Sequence, residues 1–113
     1  MSDVSQAPAL PIVPDHLVSQ EMLDRIILRP GSDVQSTNMD GETVLLDLST
    51  GRYYTLNRLG SVIWEHCTGD NTIGDIHAVL CDRFDVAPER ALDDLVTLVS
   101  QMIGEGLLQQ ERR

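Results

Sequence analysis

The sequence predicts an α+β fold, a three-stranded antiparallel sheet followed by three helices. Apolar residues alternate between positions 34 and 56, glycine turns break that stretch twice, and from Asn57 onward the spacing becomes helical and stays so to Gly104. Val34, Ser36 and Asn38 form a weak first strand that stops at Asp40-Gly41, a pair suited to a two-residue hairpin in which both central residues take positive φ. The run Thr43 to Leu48 places Val44, Leu46 and Leu48 on one face. After Ser49-Thr50-Gly51 a third strand, Arg52 to Leu56, returns along it, rich in residues that favour extended backbone.

Each helix has its own start signal. Asn57 is placed to cap a helix carrying Leu59, Val62, Ile63 and Trp64, which ends near Thr68-Gly69-Asp70-Asn71. Thr72 with Asp75 has the spacing of a capping box and opens a second helix containing Ile73, Ile76, Val79, Leu80 and Phe84. Pro88, favoured at a first helical position, opens the third, which runs to Gly104-Glu105-Gly106 ahead of Leu107-Leu108. Three short helices beside a small antiparallel sheet give a winged helix-turn-helix arrangement in which the wing comes first.

Upstream, residues 1–14 carry Pro8, Pro11 and Pro14 and read as a tail without regular structure. Asp15 to Leu28 follows roughly helical spacing with Arg29-Pro30-Gly31 as a stop, so residues 1–28 are read as an N-terminal extension, tail plus helix, and 29–110 as the domain. At 113 residues and 42% apolar content the chain supports one core. No apolar run of membrane-spanning length and no secretory signal pattern is present, which makes a cytoplasmic location the expectation.

Charge narrows the classes of partner. The formal net charge is −10, and all eight basic residues are Arg, scattered along the chain. Nucleic-acid binding draws most of its affinity from a clustered basic face, which this distribution does not supply. Catalytic patterns are equally sparse. His16 and His66 lie near no nucleophile elbow, the glycines are spaced as isolated turns, and Asp93 and Asp94, consecutive on a helix, diverge. A zinc set of His66, Cys67, His77 and Cys81 is disfavoured because adjacent helical residues point about 100° apart and cannot converge tetrahedrally. The sequence is therefore read as a non-catalytic binding domain without metal or cofactor.

Two elements mark where binding would occur. Leu92, Leu95, Val96, Leu98, Val99, Met102 and Ile103 cover about 160° of the third helix, wider than the stripe of about 100° that faces a single core. The third strand, in a three-stranded meander, has one edge without a partner unless residues 15–30 or a second copy covers it, and it carries neither Pro nor Lys to blunt that edge. An extended peptide could add there as a further strand.

A longer pattern then emerges. Gly41-Glu42, Val44-Leu45-Leu46-Asp47, Gly51-Arg52-Tyr53-Tyr54-Thr55-Leu56-Asn57, Gly60 and Ile63-Trp64-Glu65 are followed by Thr72-Ile73, Ile76, Leu80, Phe84-Asp85-Val86, Asp94-Leu95, Leu98-Val99, Met102 and Gly106-Leu107-Leu108. Over residues 29–110 this resembles the PqqD family of peptide-recognition domains. The resemblance implies a winged-helix fold and a non-catalytic role: binding the leader of a ribosomally made precursor peptide and presenting it to a separate modifying enzyme, a radical S-adenosylmethionine enzyme or a leader peptidase. It also implies that the main chain of Arg52, Tyr53, Tyr54, Thr55 and Leu56 pairs with the leader, while Leu92, Val96 and Val99 line an apolar pocket. Arg52 and Arg90 are then candidates to hold acidic leader side chains, and Asp93 a basic one. A homodimer is the other association to consider, and a structural enzyme subunit or a winged-helix transcription regulator are the alternative readings.

Overall fold

The computed structural model describes residues 23–112. Their order is β1 (Ile26–Pro30), β2 (Val34–Met39), β3 (Glu42–Asp47), β4 (Arg52–Leu56), α1 (Arg58–Glu65), α2 (Ile73–Arg83), α3 (Pro88–Gly104) and β5 (Leu108–Arg112). The fold is α+β, with two antiparallel sheets and three helices. One sheet is the expected β2-β3-β4 meander, and the other pairs β1 with β5. The proposed tail, His16 and the first part of the proposed N-terminal helix lie outside the described residues.

Local signals form as the sequence predicts. Asp40 and Gly41 both take positive φ, 55° and 84°, as a two-residue hairpin turn requires. Asn57 caps α1 by accepting from the Gly60 N–H at 2.9 Å. At α2 the capping box is complete: Thr72 Oγ1 accepts from the Asp75 N–H at 3.1 Å, and the Asp75 carboxylate accepts from the Thr72 N–H at 3.0 Å. Pro88 is the first residue of α3. That helix ends in a left-handed glycine, Gly106, with Leu107 N–H bonded back to the Met102 carbonyl at 2.8 Å and Gly106 N–H to Ile103 at 3.1 Å.

The two-stranded sheet is where the structure departs from expectation. Ile26, Ile27 and Leu28 are extended, pairing from Ile26 with Arg112 to Pro30 with Leu108, so a helix does not continue through Leu28. Their partner strand comes more than 75 residues later, and the deciding interaction is therefore invisible to local periodicity. Two β-branched residues in sequence favour the extended form once that partner exists. The far side of β1 is also covered, by a bridge between Ile27 and Thr72 and a 2.8 Å bond from Gly69 N–H to the Leu28 carbonyl.

All the elements contribute to one core, β2 through half-buried Val34 alone. Leu23, Ile26 and Leu28 pack with Leu45, Tyr54, Leu56, Ile63, Ile73, Ile76, Leu80, Leu95, Val99, Met102, Leu107 and Leu108. The β1–β2 connection is pressed against the end of α3: Gly31 N–H donates to the Leu107 carbonyl at 2.9 Å, and a Cβ at Gly31 would sit 2.5 Å from the Gly106 carbonyl oxygen. No side chain fits between two main chains at that separation. Gly31→Ala is expected to force them apart and destabilise the domain by about 1–3 kcal/mol, read as a lower urea midpoint with an unchanged m-value.

Candidate functional site

β4 is the outer strand of its sheet, and no strand among the described residues pairs with its far edge. In an antiparallel pair only alternate residues direct N–H and C=O groups at the partner, so the remaining main-chain groups of β4 face outward. Alternation also divides its side chains. Tyr54 and Leu56 are buried in the core, while Arg52, Tyr53 and Thr55 are exposed.

The turn before β4 sets its register. Asp47 is buried and accepts from both Ser49 Oγ, at 2.7 Å, and Ser49 N–H, at 2.9 Å, while its carbonyl accepts from Gly51 N–H at 2.8 Å. These bonds, the Ser49 hydroxyl foremost, hold the Asp47 carboxyl below its ordinary 3.8. Gly51, at φ 75°, then turns the chain back so that Arg52 lies opposite Asp47 and Tyr54 opposite Leu45.

Two contacts fix β4 beside α3. At one end the Glu105 carboxylate, at the C-cap of α3, accepts from the Tyr54 hydroxyl at 3.0 Å and lies 3.9 Å from Arg52 Nη1. At the other end Gly60, on the first turn of α1, sits in the angle between them. A Cβ there would lie 3.3 Å from both Leu56 Cβ and Leu98 Cδ2. β4 and α3 thus run in opposite directions, joined near Arg52 by a polar contact and near Leu56 by an apolar one.

Among the residues the sequence singled out, Arg52, Tyr53, Tyr54, Thr55 and Leu56 form this edge as one strand. The main-chain groups that face the open side are those of Tyr53 and Thr55, because Tyr54 and Leu56 pair with Leu45 and Thr43 of β3 and turn their side chains inward. On α3, Val99 is fully buried, Val96 nearly so and Leu92 half-buried. Arg90 engages its own helix, Nε lying 3.4 Å from Asp94 Oδ1, and Asp93 is exposed. Glu105, which ties the strand to the helix, was read from sequence only as part of a helix end, because its link to Tyr54 spans 51 residues.

The nucleophiles and bases are otherwise engaged. Cys67 is buried and donates to the Ile63 carbonyl at 3.2 Å, and burial pushes its thiol up to about 12, so it is protonated at neutral pH. His66 Nδ1 is 2.8 Å from the Val62 carbonyl, and His77 Nε2 is 2.8 Å from that of Pro88. A carbonyl only accepts, so both nitrogens carry hydrogen, and His77 Nε2 offers no lone pair to Cys81 Sγ, 3.5 Å away. No group of three or more His, Cys, Asp or Glu among the described residues is arranged to hold a metal ion. No helix among them is long and apolar enough to cross a membrane.

The fold and the site together define a small α+β domain in which, among the described residues, one antiparallel sheet edge is unpaired and its strand is tied to a helix. Residues 42–108 match the model of the family described as coenzyme PQQ synthesis protein D (PqqD), and the chain belongs to that family, as the resemblance in its sequence implies. Among solved structures it is similar to TbiB1 in complex with the TbiA(beta) leader peptide, with 28% identity and a TM-score of 0.68 over 72% of this chain and 94% of that one. It is similar in fold to lasso peptide synthetase B1 complexed with the leader peptide, with 23% identity and a TM-score of 0.67 over 73% of this chain and 96% of that one. The heterocyclase TruD shares the fold at 18% identity and a TM-score of 0.56, over 76% of this chain but 12% of its own. No curated protein sequence matches the chain.

Two substitutions test this geometry. Tyr54→Phe removes the bond to Glu105 and is expected to cost about 0.5–1.5 kcal/mol in urea unfolding. Asp47→Asn keeps the shape and removes the charge. Because the folded Asp47 carboxyl titrates below 3.8, its stabilising effect is complete above that value and is lost as pH falls through the lowered one. The stability gap between wild type and Asp47→Asn is therefore expected to be constant near neutrality and to close in strong acid, followed by thermal unfolding across that range.

Proposed function

We propose that this chain is a peptide-recognition protein that captures the leader segment of a ribosomally made precursor peptide as an added strand along β4, without catalysing a reaction itself. The observation that carries the reading is the unpaired β4 edge beside α3 in a chain 28% identical to a protein solved with a leader peptide bound. Main-chain hydrogen bonds supply affinity that is indifferent to sequence, and the neighbouring side chains supply selection.

In this reading the strand Arg52, Tyr53, Tyr54, Thr55 and Leu56 pairs with the leader through the main chain of Tyr53 and Thr55, and leader side chains directed at α3 meet Leu92 and Val96, with Val99 as the floor beneath them. Arg52 and Arg90 hold acidic leader side chains, and Asp93 a basic one. Arg52 suits that role because its contact with Glu105, at 3.9 Å with the arginine side chain largely exposed, is weak enough to exchange. The β2-β3-β4 sheet and the three helices act as a winged-helix unit spanning residues 29–110. Residues 1–28 form an extension whose last part, Leu23 to Leu28, is built into the core. The bound leader is handed, in the cytoplasm, to a separate modifying enzyme or leader peptidase.

Titration of the isotope-labelled protein with synthetic leaders of precursor-like peptides encoded beside its gene tests this. Saturable amide shifts concentrated on residues 52–56 and 90–103 are expected. Thr55→Pro, which deletes a main-chain donor and fixes φ, is expected to lower leader affinity about tenfold or more in a protein whose circular dichroism is unchanged. Shifts confined to other surfaces would remove the β4 assignment.

A further inference from the structure

Among the described residues the outer side of the meander is apolar and left open. Along β3 it is Thr43, Leu45 and Asp47 that turn inward, at 2%, 0% and 5% exposure, while Val44 and Leu46 face outward and are half-buried. Cross-strand register extends this outer face: Met39 opposes Glu42, Thr37 opposes Val44, Gln35 opposes Leu46, and Leu46 and Val44 in turn oppose Tyr53 and Thr55. The same alternation carries Leu48, just past β3, to that side, where its N–H still bonds to the Asp33 carbonyl at 2.8 Å. Met39, Leu48 and Tyr53 are the exposed large hydrophobic residues of the described chain, at 60%, 55% and 60%, and all three stand on this one face. Scattered exposed apolar residues need no explanation, but a contiguous set on one flat surface marks an interaction site.

Charge indicates the kind of occupant. Glu42 is the sole charged residue among the outward positions of the three strands, in a chain of net charge −10. Acidic residues stand at both ends of the apolar row, Asp40 and Glu42 beside Met39 and Asp33 beside Leu48, and all are exposed. Such ends repel another copy of this chain and attract Lys or Arg.

We propose that the outer face of the β2-β3-β4 sheet, centred on Met39, Leu46 and Leu48, docks a second protein through an apolar patch flanked by basic residues. β4 takes the leader through its edge, in the plane of the sheet, whereas this surface is the sheet's broad face, so the two are occupied together. The inference rests on the peptide-recognition reading for the identity of the partner to try first, the modifying enzyme that receives the leader.

The test uses the full chain, its Met39→Glu/Leu48→Glu variant, the synthetic leader, and the purified modifying enzyme encoded beside the gene. Both substituted positions are exposed and outside the leader edge, so leader affinity is expected to stay within about twofold, while affinity for the enzyme falls at least about tenfold. Wild-type affinity for the enzyme is also expected to weaken as salt rises. Enzyme binding unchanged in the variant, or absent in the wild type, overturns the surface assignment and leaves leader binding intact. A wild-type dimer in light scattering that the variant converts to monomer assigns the face to a second copy instead. Tighter enzyme binding after deletion of residues 1–22 assigns it to the chain's own N-terminal segment, and either result overturns the proposal. Failure of the wild type to bind the leader refutes the peptide reading separately.

Discussion

Gly31 lies against the carbonyl of Gly106, and its N–H is held by the carbonyl of Leu107. At this contact the connection leading into the three-stranded sheet meets the connection leading out of α3, with β1 and β5 zipped together on the far side. The positions of β2, β3 and β4 relative to α3 follow from it. A helix that ended one residue later, or a side chain at Gly31, would move α3 away from β4. The Tyr54–Glu105 bond and the wedge of Gly60 between Leu56 and Leu98 depend on the same spacing, being short contacts between elements far apart in sequence.

Much of the architecture was legible in the sequence because it rests on local chemistry. Asp40-Gly41 needs two positive φ values, Thr72 and Asp75 satisfy each other's main-chain donors, Pro88 can begin a helix but not continue one, and Gly106 can adopt the left-handed turn that ends α3. What was not legible depends on distant partners. Ile26-Ile27-Leu28 fits a helical stripe as well as a strand, and only β5, at the opposite end of the chain, decides between them. Glu105 carries no local sign of its link to Tyr54, and of the zinc-like set of His and Cys three side chains, His66, Cys67 and His77, already serve nearby carbonyls.

The site divides along the same line. The strand Arg52 to Leu56 was readable as an edge because a meander of three strands has two. The width of the apolar stripe on α3 has a more ordinary outcome than its extent suggested: Leu95, Val96, Val99 and Met102 are absorbed into the core, and Leu92, Leu98 and Ile103 remain half-buried. Period alone reports that Val44, Leu46 and Leu48 share a face. It cannot report that this face points away from the core, since that is determined by Tyr54 and Leu56 in the next strand reaching inward and pulling Leu45 and Thr43 with them.

Among the described residues β2 is the other open edge of the same sheet, and it differs from β4 in that its residues from Gln35 to Met39 are all exposed, with no helix packed on them. A foreign strand arriving there gains main-chain bonds but meets no wall against which a wrong side chain would clash. Two unlike open edges on one sheet are also the geometry of head-to-tail growth, in which the β2 edge of each molecule could cap the β4 edge of the next without closing a ring. The strong negative charge of the chain opposes such stacking at every step. Beyond the carboxylates that the fold itself uses, such as Asp47, Asp75 and Glu105, the acidity thereby acts as a guard against edge-to-edge assembly.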